Sequence, residues 1–158
     1  MLAYFYNCTE KETRVDAVFV ASGLASDAQT TKVYSAGERM IYRNAVINPG
    51  QHYSTSTGEY TCPVTGTYFF TYSIYGDNVK DGWRYSRATA SLYREGTQIS
   101  RIYFTNYNSE QIDITLSRSD IVQCSKGGRV WVQSVYGSNH VWGAGIYDMF
   151  SGVLLYIS

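Results

Sequence analysis

From Thr67 to Tyr75 the chain reads TYFFTYSIY, with Tyr68, Phe70, Tyr72 and Ile74 on one face and Thr71 and Ser73 on the other. A period of two is the mark of a strand that buries one side. Ala88 to Tyr93 and Gln111 to Leu116 alternate in the same way, and Arg129 to Gln133 follows a Gly127-Gly128 pair suited to a hairpin turn. Further strands are expected at Asp16 to Ala21, Met40 to Ile47, Tyr60 to Cys62, Ser100 to Phe104, Asp120 to Ser125 and Val153 to Ile157. No window carries an apolar stripe at helical spacing with caps. The class is therefore all-β, and short strands separated by Gly, Asn and Ser turns point to a two-sheet sandwich or jelly roll.

The final strand departs from simple alternation. Phe150, Leu154 and Tyr156 lie on one face and Val153, Leu155 and Ile157 on the other, so both faces are apolar. Only one face of a sandwich strand meets the core, which leaves the second for a neighbouring subunit.

Composition narrows the picture. At 158 residues the chain is one domain, read as a globular unit over 15–158 after a short N-terminal segment, 1–14. Thirteen Lys and Arg balance thirteen Asp and Glu without any basic cluster, which argues against nucleic acid or an anionic membrane as a partner held by bulk charge. Apolar runs are far shorter than the roughly 20 residues a membrane-spanning helix needs, so no membrane insertion is expected. Charged residues make up 16% of the chain, below the usual share of about 25%, whereas Tyr alone supplies 16 residues. Cys8, Cys62 and Cys124 permit one intrachain bond and a leftover thiol, or three thiols, and lack the spacing of a zinc site. Met1 to Tyr6 are apolar without a basic leader or small-residue cleavage site, so either export does not use that route or a leader has been removed. Asn7-Cys8-Thr9 fits the glycosylation acceptor pattern, which matters if the chain is secreted.

Three ordered segments carry a family resemblance. Asn48 to Tyr72 reads NPGQHYSTSTGEYTCPVTGTYFFTY, Gly127 to Gln133 reads GGRVWVQ, and Phe150 to Tyr156 reads FSGVLLY. Together they resemble the signature of the complement C1q globular-head family, over nearly all of the chain from Val15 onward. The resemblance implies an all-β, ten-stranded jelly-roll sandwich of the C1q and tumour necrosis factor type, assembling as a homotrimer. It also implies a secreted, non-enzymatic recognition protein, a lectin-like pattern-recognition molecule of innate immunity that binds sialylated or microbial glycans multivalently on cell or microbial surfaces. The alternative is a trimeric protein ligand that engages a receptor in the manner of cerebellin, adiponectin or tumour necrosis factor.

The chemistry in the chain suits binding better than catalysis. There are two histidines, His52 and His140, and no GxSxG, HExxH or phosphate-loop motif, so no nucleophile can be named. Calcium is the candidate cofactor, because relatives hold it near the trimer apex in the loop before the last strand. In that loop Asp148 is the single acid, and a hard cation wants six to eight oxygens with carboxylates among them. Sugar recognition pairs an aromatic face with amide, hydroxyl and guanidinium groups. Three loops offer such a set: Tyr136, Asn139, His140, Trp142 and Tyr147 in the first, Trp83, Arg84 and Tyr85 in the second, Arg101 and Tyr103 in the third. Arg84 or Arg101 would pair with a sugar carboxylate.

Overall fold

The structure is a computed structural model describing residues 15–24, 31–76, 86–107, 114–136, 139–142 and 147–158, with backbone alone at 31, 86, 106 and 139–142. Among these residues there are eleven strands and no helix: β1 Val18–Ser22, β2 Thr31–Tyr34, β3 Asn44–Ile47, β4 Glu59–Thr61, β5 Gly66–Gly76, β6 Ser86–Arg94, β7 Thr97–Asn106, β8 Ile114–Cys124, β9 Arg129–Gln133, β10 Asn139–Trp142 and β11 Met149–Ile157. One layer runs β3-β1-β11-β5-β8 and the other β4-β9-β6-β7. Short β10 pairs with β2 and bridges the layers by single residue pairs, Val141 with Gly76 and Asn139 with Arg87. This is the jelly roll the sequence implies. Its core lies where the inward residues of β5 (Tyr68, Phe70, Tyr72, Ile74) face those of β6 (Ala88, Ala90, Leu92), all buried.

Several tyrosines enter this core with acceptors for their hydroxyls. Tyr42 donates to the Ser73 carbonyl at 3.1 Å, Tyr53 to the Tyr42 carbonyl at 3.0 Å and Tyr68 to the Val64 carbonyl at 2.7 Å. Each bond offsets the cost of burying a phenol oxygen. Phe19 is the hub of the ring packing, stacked on Tyr60 at 4.6 Å and meeting Phe150 edge-on at 4.8 Å. Gly152 makes room for it: a Cβ there would lie 2.5 Å from the Phe70 ring and 2.8 Å from Phe19.

Several sequence expectations change. The described parts of the stretches expected over Gln111 to Leu116 and Asp120 to Ser125 fall in one strand, β8; residues 111–113 lie outside the described residues. Gly127-Gly128 is not a hairpin turn, because β8 pairs with β5 while β9 pairs with β4 and β6 in the other layer. The turn crosses between layers and is stitched to Cys62, whose carbonyl accepts from Gly127 N–H and whose N–H donates to the Gly128 carbonyl, both at 2.8 Å. A tight hairpin joins β6 to β7 instead, where Glu95 and Gly96 have φ of 47° and 80° and so fit a turn with positive φ at both central residues. Met40 to Arg43 is not strand; it delivers Met40 and Tyr42 into the core before β3 begins. The strand expected over Ser100 to Phe104 lies within β7, so Arg101 and Tyr103, grouped above with the binding loops, are carried by a strand. Cys62 and Cys124 are joined in a disulfide, Cα to Cα 6.5 Å, which ties β4's end to β8's end across the layers.

β11 is corrected in detail. A bulge between Leu154 and Tyr156 shifts the register against β5, so Tyr156 does not follow Leu154 into the core and is 59% exposed. Val153, Leu155 and Ile157 are exposed as well. Across this layer Val18, Val153, Phe69 and Ile121 lie in register on four adjacent strands, forming an apolar row on the outer side.

Candidate functional site

The opposite outer surface, on β6 and β7, has a different character. Register there pairs Arg87 with Thr105, Thr89 with Tyr103 and Ser91 with Arg101, while the alternate pairs Ala88 with Phe104 and Ala90 with Ile102 turn inward. Tyr136, three residues beyond β9, folds onto this surface. Its ring meets Tyr103 edge-on at 5.9 Å, and the guanidinium centres of Arg101 and Arg87 lie 5.4 and 5.5 Å from its centroid. Such distances suit cation–π attraction. Arg101 donates from Nη1 to the Tyr136 hydroxyl at 3.1 Å and from Nη2 to Gln98 Oε1 at 2.9 Å. The Tyr136 backbone is held by Ser134 Oγ, which donates to its carbonyl at 2.9 Å.

Sequence reasoning divides these residues between two loops; the fold brings Tyr136, Arg101 and Tyr103 together. It also separates residues that share one loop in the sequence. Tyr147 stacks on Tyr75 at 5.1 Å and its carbonyl accepts from Ser73 Oγ at 3.1 Å, so it sits with the other layer. Asn139, His140 and Trp142 form β10 with their backbone, and their side chains lie outside the described residues, as do Trp83, Arg84, Tyr85 and Asn7 entirely. Arg87 and Ser91 are the site neighbours that sequence reasoning misses. The signal is the small polar set Arg87, Thr89, Ser91 on the outward phase of a strand, which reads equally well as an ordinary solvated face.

Asp148, the candidate calcium ligand, lies inside rather than on an open loop. It is fully buried, its Oδ1 accepts the Tyr75 N–H at 2.6 Å, and its Oδ2 has no hydrogen-bond partner. Burial pushes its carboxyl up to about 7, against the pull of the Tyr75 bond. Among the described residues no three His, Cys, Asp or Glu side chains gather as a metal site.

The C1q domain family model matches residues 24–155. The chain belongs to the C1q domain family. It is 32% identical over 133 residues to a complement C1q subcomponent of mouse (Mus musculus), covering 81% of this chain and 48% of that one. Similarity to the mouse complement C1q tumor necrosis factor-related protein 2 is 28% over 139 residues, 84% of this chain and 43% of that one. The chain thus spans about half the length of the curated relatives it matches. Among solved structures, the globular domain of zebrafish complement 1qA protein superposes with a TM-score of 0.66 at 16% identity, covering 90% of this chain and 99% of that one. Eiger TNF from S. frugiperda does so with a TM-score of 0.68 at 15% identity, covering 90% and 94%. Both likenesses confirm the C1q and tumour necrosis factor jelly roll. No helix among the described residues is long and apolar enough to cross a membrane.

Proposed function

We propose that this C1q-domain protein is a secreted, non-enzymatic recognition molecule that binds glycans multivalently as a homotrimer, in the service of innate immunity. The observation that carries the reading is the division of labour between its two outer surfaces. The surface of β1, β5, β8 and β11 carries the apolar row Val18, Val153, Phe69 and Ile121, which favours burial against another copy. The opposite layer presents Tyr136 and Tyr103 with Arg101, an aromatic face beside a guanidinium, as sugar binding requires. A trimer closed through the first surface leaves three copies of the second facing outward. Weak individual sites then gain avidity on a dense surface of ligands. Relatives named for complement and for tumour necrosis factor relation agree with a recognition role, and the Cys62–Cys124 disulfide suits an oxidising, extracellular compartment.

A glycan array probed with the whole protein tests the reading. Binding to a defined set of sugars, blocked by the free sugar and lost in Tyr136→Ala, is the expected result. Absence of any glycan signal together with capture of a protein receptor would favour the ligand-like alternative.

A further inference from the structure

Where the layers meet at the ends of β6 and β8, a cavity of about 480 Å³ opens beside the Cys62–Cys124 disulfide. The two sulfurs are not equally placed. Cys124 lines the cavity and is 4% exposed, whereas Cys62 is absent from its wall and is 0% exposed. Gly128 belongs to the same wall, and a Cβ there would lie 2.7 Å from Cys124 Sγ. Glycine thus keeps the approach to this sulfur clear, where any other residue would put a side chain against it. Cys62 is held in place by the Gly127-Gly128 turn, which bonds both its N–H and its carbonyl. The wall also carries both signs of charge, Arg94 at the end of β6 and Glu95 in the turn that follows. Arg94 donates from Nη1 to the Gln123 carbonyl at 2.6 Å, which anchors the guanidinium beside β8.

Thiol–disulfide exchange depends on which sulfur an incoming thiolate can reach. We infer that Cys124 is a site of reversible S-thiolation by a low-mass aminothiol that carries both an ammonium and a carboxylate, of which cysteine is the simplest. The incoming thiolate bonds to Cys124 Sγ as the Cys62–Cys124 bond breaks. The electron pair of the broken bond leaves on Cys62, which takes up the proton that the incoming thiol lost. One disulfide replaces another, so the step needs no external oxidant or reductant. The carboxylate of the adduct lies on Arg94 and its ammonium on Glu95. These contacts offset the advantage that a native disulfide has from holding its two sulfurs together. Cys62 belongs to the buried core, where apolar surroundings disfavour its thiolate and slow its return attack. The exchange unties the end of β4 from the end of β8.

The test uses the full chain carrying Cys8→Ser, so that every thiol that appears comes from the pair. The folded protein is incubated with cysteine, cysteamine or mercaptopropionate at equal thiolate concentration, quenched with acid, and read by intact mass and peptide mapping. Cysteamine lacks the carboxylate and mercaptopropionate the ammonium. The expected product is one cysteinyl group per chain, on Cys124, with one thiol on Cys62. Its yield should exceed that from either single-charge thiol by about tenfold, and Arg94→Gln or Glu95→Gln should remove that advantage in protein whose disulfide still forms. An adduct on Cys62, equal yields from the three thiols, or a preference unchanged in both variants overturns the proposal. Reaction only in denaturant, or reduction straight to two thiols without an adduct, overturns it as well.

Discussion

Asp148 shows how much of a residue's setting is invisible in the sequence. An acid in a loop reads as a candidate metal ligand; in the fold its backbone carbonyl accepts from Gly23 at 3.3 Å and its side chain caps the Tyr75 N–H in the interior. With its carboxyl raised to about 7, the folded state holds a proton that the unfolded chain releases near 4. Its stabilising contribution is therefore complete below pH 4 and is lost as pH rises to about 7, at roughly 1.4 kcal/mol per pH unit. Asp148→Asn, which keeps an oxygen for Tyr75, should flatten that dependence; thermal melts of both proteins between about pH 4 and 8 give the difference. If the two profiles run parallel, Asp148 is not the titrating group. Gly152 makes a second residue-scale claim: Ala at this position would drive a methyl into Phe70 and Phe19 and should cost about 1–3 kcal/mol in denaturant unfolding. The sequence marks Gly152 only as part of a motif, since nothing local reveals which two rings close over it.

At the scale of elements, alternation locates strands well where one face is buried in the chain's own core. β5 lies where its alternation places it, because Tyr68, Phe70, Tyr72 and Ile74 all find core partners on one side. The pattern is silent for β2 and β10, short strands held by pairing with each other. It also misdirects at Gly127-Gly128, because two glycines specify a turn but not which layer the chain enters next. The same crossover explains the disulfide: Cys62 at the end of β4 meets Cys124 at the end of β8 only once the layers are stacked, 62 residues apart in the chain. Replacing both with Ser should cost about 2–4 kcal/mol by releasing a long loop in the unfolded state. Equilibrium unfolding with and without a reductant measures it, and an unchanged midpoint would mean that the bond contributes nothing. β11 adds the lesson of the bulge. One inserted residue turns Tyr156 outward, an event that binary patterning cannot foresee.

For the whole molecule, the low charge fraction now has a place. One cross-strand row on the outer surface of a layer, Val18, Val153, Phe69 and Ile121, is apolar across four strands. Light scattering should give about three times the mass of one chain, and Ile121→Asp with Val153→Asp should shift it toward monomer, because charges there would be buried without partners. A monomeric parent protein would refute the assembly. The sequence by itself determined the all-β class, the aromatic core strand and the family, since these rest on local periodicity and on short motifs. Tertiary structure alone decided which chemistry meets. Tyr136 and Arg101 are 35 residues apart and share a surface because β9 and β7 both flank β6. Tyr136 and Tyr147, close in sequence, fall on different layers because the chain crosses between them. A strand's phase tells which side chains leave the core together; only the stacking and order of strands tell which others they will find there.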